Sequence, residues 1–85
     1  MYRYRVYTEN VNYDETLALA KSTLPESFTV FHAQGFYQGA PEKTLVFEVI
    51  ADDTHAVTAF AYRVKKQNNQ DCVLVTAEEV NSFIL

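Results

Sequence analysis

Apolar and polar residues alternate with a period of two through Tyr2-Arg-Tyr-Arg-Val-Tyr-Thr8, and this predicts a first strand. Asn12-Tyr-Asp-Glu15 then offers a capping side chain with a glutamate three residues on. Tyr13, Leu17, Ala20 and Leu24 fall on one face of the helix that follows, and Pro25 ends it. The stretch Phe28–Gly39 and the apolar run Thr44–Ala51 are rich in β-branched and aromatic residues. Gly39-Ala40-Pro41 separates them, so together they predict a β-hairpin. Asp52 or Asp53 is placed to cap a second helix whose apolar stripe is Val57, Phe60, Ala61 and Val64. After the polar break Gln67-Asn-Asn-Gln70, Cys72–Thr76 reads as a last strand. Thr76-Ala-Glu-Glu79 has the form of a capping box and predicts a short C-terminal helix with Val80, Phe83 and Ile84 on its apolar side.

The order βαββαβ is that of the split βαβ, ferredoxin-like arrangement, an α+β fold. Both helices are then expected on one face of a four-stranded antiparallel sheet, with the other face open. A hairpin centred on Ala40 sets His32 opposite Glu48, Val30 opposite Ile50 and Gln34 opposite Val46. That register sends Phe31, Ala33, Leu45, Phe47 and Val49 beneath the helices. It leaves Val30, His32, Gln34, Phe36, Val46, Glu48 and Ile50 on the open face, joined by Arg3, Arg5 and Tyr7 from the first strand and by Cys72 and Leu74 from the last. A sheet face meant only for water reads polar, whereas this one reads as an apolar patch around a few charges.

Composition narrows the function classes. At 85 residues the chain, residues 1–85, is expected to be one domain. A domain of that size buries only roughly 60–65% of its unfolded surface, so added interface would help it. A net charge of −4 with only 7 scattered basic residues argues against duplex nucleic acid or an anionic membrane as partner. Arg63, Lys65 and Lys66 suit the negative end of a helix dipole. A lone cysteine, Cys72, and the lack of a signal-like start point to a reducing, cytoplasmic compartment.

Thr29-Val30 followed, after four residues, by Gly35-Phe36 resembles the second strand of the PII signalling proteins, and Ile50, Asp52 and Asp53 resemble their third strand and the start of the next helix. Phe28 to Glu42 is more fully similar to a group of small uncharacterised bacterial and phage proteins with an FTV-x-x-A-x-G-aromatic-aromatic-x-G-x-x-E core. The PII resemblance implies a homotrimer, open sheet faces toward the threefold axis, and adenine-nucleotide sites at subunit clefts near Gly35, Phe36 and Tyr37. Tyr37 stands where PII proteins have a second glycine, Gln38 to Lys43 is a tight connection where they have a long loop, and Asn68-Asn69-Gln70-Asp71 replaces their glycine-rich phosphate-holding segment.

Candidate chemistry is sparse. Arg5, His32 and Glu48 are expected side by side on the open face, either to tune an imidazole for acid–base work or, more simply, to satisfy one another and fix subunit register. His55 with Asp52 and Asp53 has metal-ligand types but sits at a helix start, where acids serve the dipole. No Gly-rich phosphate loop, GxSxG elbow or paired zinc-ligand spacing occurs, and no cofactor is expected. Tyr2, Tyr4, Tyr7, Tyr13, Phe36 and Tyr37 could stack single-stranded bases, but without basic residues among them an interface is the commoner use. The sequence is read as a non-catalytic, regulatory binding module, a homo-oligomer with a trimer favoured over a dimer. The alternatives are a small inhibitor or adaptor acting on a protein partner, as mobile elements encode, and a dimeric α/β-barrel enzyme using His32 and Glu48.

Overall fold

The computed structural model describes residues 1–85. Strand β1 (Tyr2–Glu9) leads into helix α1 (Tyr13–Thr23), and strands β2 (Thr29–Tyr37) and β3 (Ala40–Ala51) form a hairpin. Helix α2 (His55–Gln67) and strand β4 (Leu74–Glu79) follow. The strands form one antiparallel sheet in the order β2-β3-β1-β4, the ferredoxin-like arrangement. No helix is long and apolar enough to cross a membrane.

The period-two pattern of β1 and the stripe of α2 explain the core. Tyr4 and Val6 from β1 and Leu45, Phe47 and Val49 from β3 meet Val57, Phe60, Ala61 and Val64 from α2, with Ala20 and Leu24 closing the α1 side. Phe47 and Phe60 are fully buried, with ring centroids 4.9 Å apart at 69°. Such an edge-to-face pair contributes about 0.5–1.5 kcal/mol beyond its buried area. The two helices are tied by Gln67 and Asn68, whose amides donate to the buried Thr16 hydroxyl at 3.4 and 3.3 Å.

The hairpin register differs from the one centred on Ala40. Tyr37 pairs with Ala40, so the turn is Gln38-Gly39, with the two positive φ values (51° and 80°) of a type I′ turn. Pro41 lies inside β3, at an end where no β1 residue lies beside it and the missing N–H is tolerated. The displacement is by an odd number of residues, which exchanges the two faces of β2. Phe31 and Ala33 therefore lie on the open side, opposite Val46 and Thr44, while Val30 packs on the core and His32 pairs with Leu45.

The expected Asn12 cap does not form, whereas Asp53 does serve the start of α2. Asn12 precedes α1 without a side-chain cap and instead donates to the Asn68 side chain at 3.1 Å. Thr54 precedes α2, and the Asp53 carboxylate accepts from the His55 N–H at 2.8 Å. The C-terminal helix does not form: β4 continues to Glu79 and residues 80–85 have no regular structure. Pairing with the free edge of β1 outcompetes the capping box, because it adds ladder bonds and sets Arg3 against Glu78 at 2.6 Å.

Candidate functional site

The β2–β3 hairpin is longer than the strand beside it. Pairing of β1 with β3 ends at Glu9 and Thr44, and the Asn10 N–H closes the edge on the Lys43 carbonyl at 2.8 Å. Beyond that point the hairpin runs on alone. Its tip, the end of β1 and the connection from α2 to β4 border a half-open cavity of about 400 Å³.

The α2–β4 connection is set by the way α2 ends. Asn69 adopts a left-handed φ of 50°, its N–H bonds the Lys66 carbonyl at 3.2 Å, and the Gln70 N–H bonds the Lys65 carbonyl at 3.0 Å. This is a Schellman motif with asparagine in the place usual for glycine. It turns the Gln70 side chain onto β1, where Gln70 Oε1 accepts from the Glu9 N–H at 3.1 Å and Nε2 donates to the Thr8 hydroxyl at 2.5 Å. One side chain thus fixes a cavity wall to the sheet.

Gly35, Phe36 and Tyr37 line the cavity from β2. Tyr37 stands beside Cys72. The neighbouring Cys72 pushes the Tyr37 phenol above its ordinary range, and burial and the Asp71 charge act in the same direction. Gly35 is required by space. A Cβ there would lie 2.6 Å from the Thr44 hydroxyl oxygen. That oxygen is buried and has no hydrogen-bond partner.

Glu9, Glu42 and Asp71 also line the cavity, and no lysine, arginine or histidine does. None of the three carboxylates belongs to the ion pairs of the molecule. Tyr7, Asn69, Gln70 and Leu74 complete most of the wall.

The expected polar cluster divides. Arg5 donates to Glu48 at 2.9 Å, and Arg3 approaches the same carboxylate at 3.5 Å while holding Glu78. The hydrogen bond that Arg5 donates to Glu48 is the main cause that lifts its guanidinium further above its ordinary range. His32 is not in this cluster. It packs against Tyr13 of α1, ring centroids 5.2 Å apart and tilted at 42°, on the opposite side of the sheet from Glu48. The pair invoked for acid–base chemistry is therefore not assembled. His55 lies 3.6 Å from Asp53 with both side chains exposed. No three His, Cys, Asp or Glu side chains converge closely enough to hold a metal ion.

Sequence reading missed Glu9, Glu42, Thr44 and Asp71 as partners of the glycine-aromatic segment. A type I′ signal at Gln38-Gly39 would have brought Thr44 beside Gly35, but nothing in the sequence announces that the α2–β4 connection folds onto β1. No protein-family model matches the chain, and no curated protein matches it either.

Proposed function

We propose that this chain is a non-catalytic binding module that holds a small ligand in the cavity at the hairpin end and associates with copies of itself through the open face of the sheet. The observation that carries the ligand half is the cavity, whose wall is held in place by the Gln70 clamp before anything binds. A volume of this size lies in the range usual for small-molecule sites, and a wall already in place lowers the ordering cost of binding.

The assembly half is supported by the composition of the open face. Phe31, Ile50 and Leu74 are substantially exposed there, around the charges Arg3, Arg5, Glu48 and Glu78. Adjacent charges of both signs are self-complementary when two such faces meet, and the apolar residues gain burial. A trimer in the manner of PII proteins is favoured, with a face-to-face dimer as the other closed arrangement. The exposed Cys72 thiol supports a reducing, cytoplasmic setting.

Sedimentation at micromolar concentration tests the assembly. The expected species is a trimer or dimer that dissociates on Phe31→Asp, and a wild-type monomer overturns this half. A thermal-shift screen of metabolites tests the binding half, since a ligand that binds only the native state raises Tm.

A second reading, an inhibitor or adaptor for a protein partner, is favoured by Phe83, Ile84 and Leu85. They are the most exposed apolar side chains of the molecule and lie outside both the cavity and the sheet. A monomer that gives no ligand shift but co-purifies with one stoichiometric protein would select it.

A further inference from the structure

We infer that the cavity takes a small organic cation, an amine or a quaternary ammonium compound, and does not take a phosphate-bearing ligand. This rests on the binding reading above and gives that site a ligand class.

Charge is the first reason. Glu9, Glu42 and Asp71 line the cavity with no basic side chain to offset them, and none is held in an ion pair elsewhere. A phosphate group would bring further negative charge among three carboxylates, without a lysine, an arginine or a glycine-rich backbone nest to receive it. A cation meets three acceptors.

The spread of the carboxylates is the second reason. They come from three separate segments, the end of β1, the start of β3 and the α2–β4 connection. No trio of ligating side chains is close enough for a metal ion. Charges distributed around a cavity suit an extended organic cation better than a point ion.

The apolar part of the wall is the third. Tyr7 and Tyr37, which lie on the same side of the sheet as Gly35 and Thr44, are among the lining residues, and aromatic faces attract ammonium groups through their quadrupoles.

The Thr44 hydroxyl adds an observation independent of charge. Thr44 is 8% exposed, and its Oγ1 faces the slot left by the absent Gly35 side chain, on the cavity wall, with no partner. A buried hydroxyl oxygen without a partner is rare and costly. Gly35 closes this oxygen off from the cavity, so an ammonium N–H seated there would supply the missing donor with a small shift of the Gly35–Thr44 contact.

The experiment is isothermal titration calorimetry of the full chain with 1,4-diaminobutane, tetramethylammonium and inorganic pyrophosphate, at low and at near-physiological salt. At least one cation is expected to bind, less tightly as salt rises, with pyrophosphate silent. Glu42→Gln and Asp71→Asn are each expected to weaken binding about tenfold, the equivalent of one charge-assisted contact. Tyr37→Leu weakens it as well, and Asp14→Asn, on α1 away from the cavity, leaves it unchanged. Thr44→Val should weaken binding without lowering Tm, which separates loss of a ligand contact from loss of fold.

The inference is overturned if neither cation binds up to about 10 mM, or if binding survives Glu42→Gln and Asp71→Asn equally with Asp14→Asn. Preferential binding of pyrophosphate or a neutral metabolite would overturn it while leaving the binding reading intact. Silence toward every cation, anion and neutral compound tried would remove both.

Discussion

The Thr44 hydroxyl oxygen lies 2.6 Å from the point where a Cβ on Gly35 would sit. Gly35 does not have a left-handed φ, so contact and not backbone freedom is what demands glycine there. Thr44 is β-branched and stiff at χ1, and cannot easily turn away. Gly35→Ala is therefore expected to lower stability by about 1–3 kcal/mol in urea titration. Combining it with Thr44→Ala should recover most of that loss. An equal loss in the single and the double variant would locate the cause in the backbone instead.

The hairpin turn makes a separate prediction. Gln38 holds a φ of 51°, a region that ordinary side chains disfavour and asparagine accepts more readily. Gln38→Asn creates the Asn-Gly pair of type I′ turns and is expected to raise stability by about 0.5–1 kcal/mol. Gly39→Ala, at φ 80°, is expected to lose about 1–2 kcal/mol. Thermal melts of the two variants against wild type check both signs.

The tilted ring contact of His32 with Tyr13 couples the hairpin to α1. A double-mutant cycle of His32→Ala and Tyr13→Ala is expected to show a coupling of about 0.5–1 kcal/mol. His32→Ala and Glu48→Ala, on opposite sides of the sheet, are expected to be additive. Coupling between that second pair would restore the face-sharing arrangement that a turn at Ala40 implies.

Alkaline stability should depend on Tyr4. Burial is the main cause that raises its phenol above the ordinary value, with the charges of Tyr2, Asp53 and Asp52 adding to it. Because the native phenol keeps its proton while the unfolded one releases it, the native state binds more protons above the unfolded pKa. The contribution is complete below about pH 10 and is lost as pH rises toward the native value. Tm is expected to fall above that pH, and Tyr4→Phe should flatten the fall. An unchanged alkaline limb in Tyr4→Phe would assign the effect to other groups, Tyr37 among them.

Elements whose faces are enforced by the core were legible in the sequence. Val57, Phe60, Ala61 and Val64 on α2 and the alternation of β1 each admit one arrangement once an apolar side must be buried. β2 was not so constrained. Apart from Val30 and Gly35, which are half-buried, its residues are exposed, and both its faces carry apolar side chains, so the pattern tolerated either register. The turn residues decided it, and Pro41 drew attention away from Gln38-Gly39. At the other end, Thr76–Glu79 satisfied a helix-start pattern and a strand equally well. Only the unpaired edge of β1 chose between them. The cavity was legible in its glycine and aromatic residues but not in its carboxylates, which come from segments that local spacing cannot relate.

β1 sits between β3 and β4, and its pairing with β4 sets Tyr2 opposite Glu79. β1 therefore keeps one edge open until β4 has left the ribosome. Closure of that edge spans nearly the whole chain, a high contact order that slows folding relative to helical proteins of similar size. The cavity inherits this timing, because its walls come from both sides of that final pairing. A ligand held there would report that the α2–β4 connection has folded onto β1, and would not bind a chain cut before the segment around Asp71.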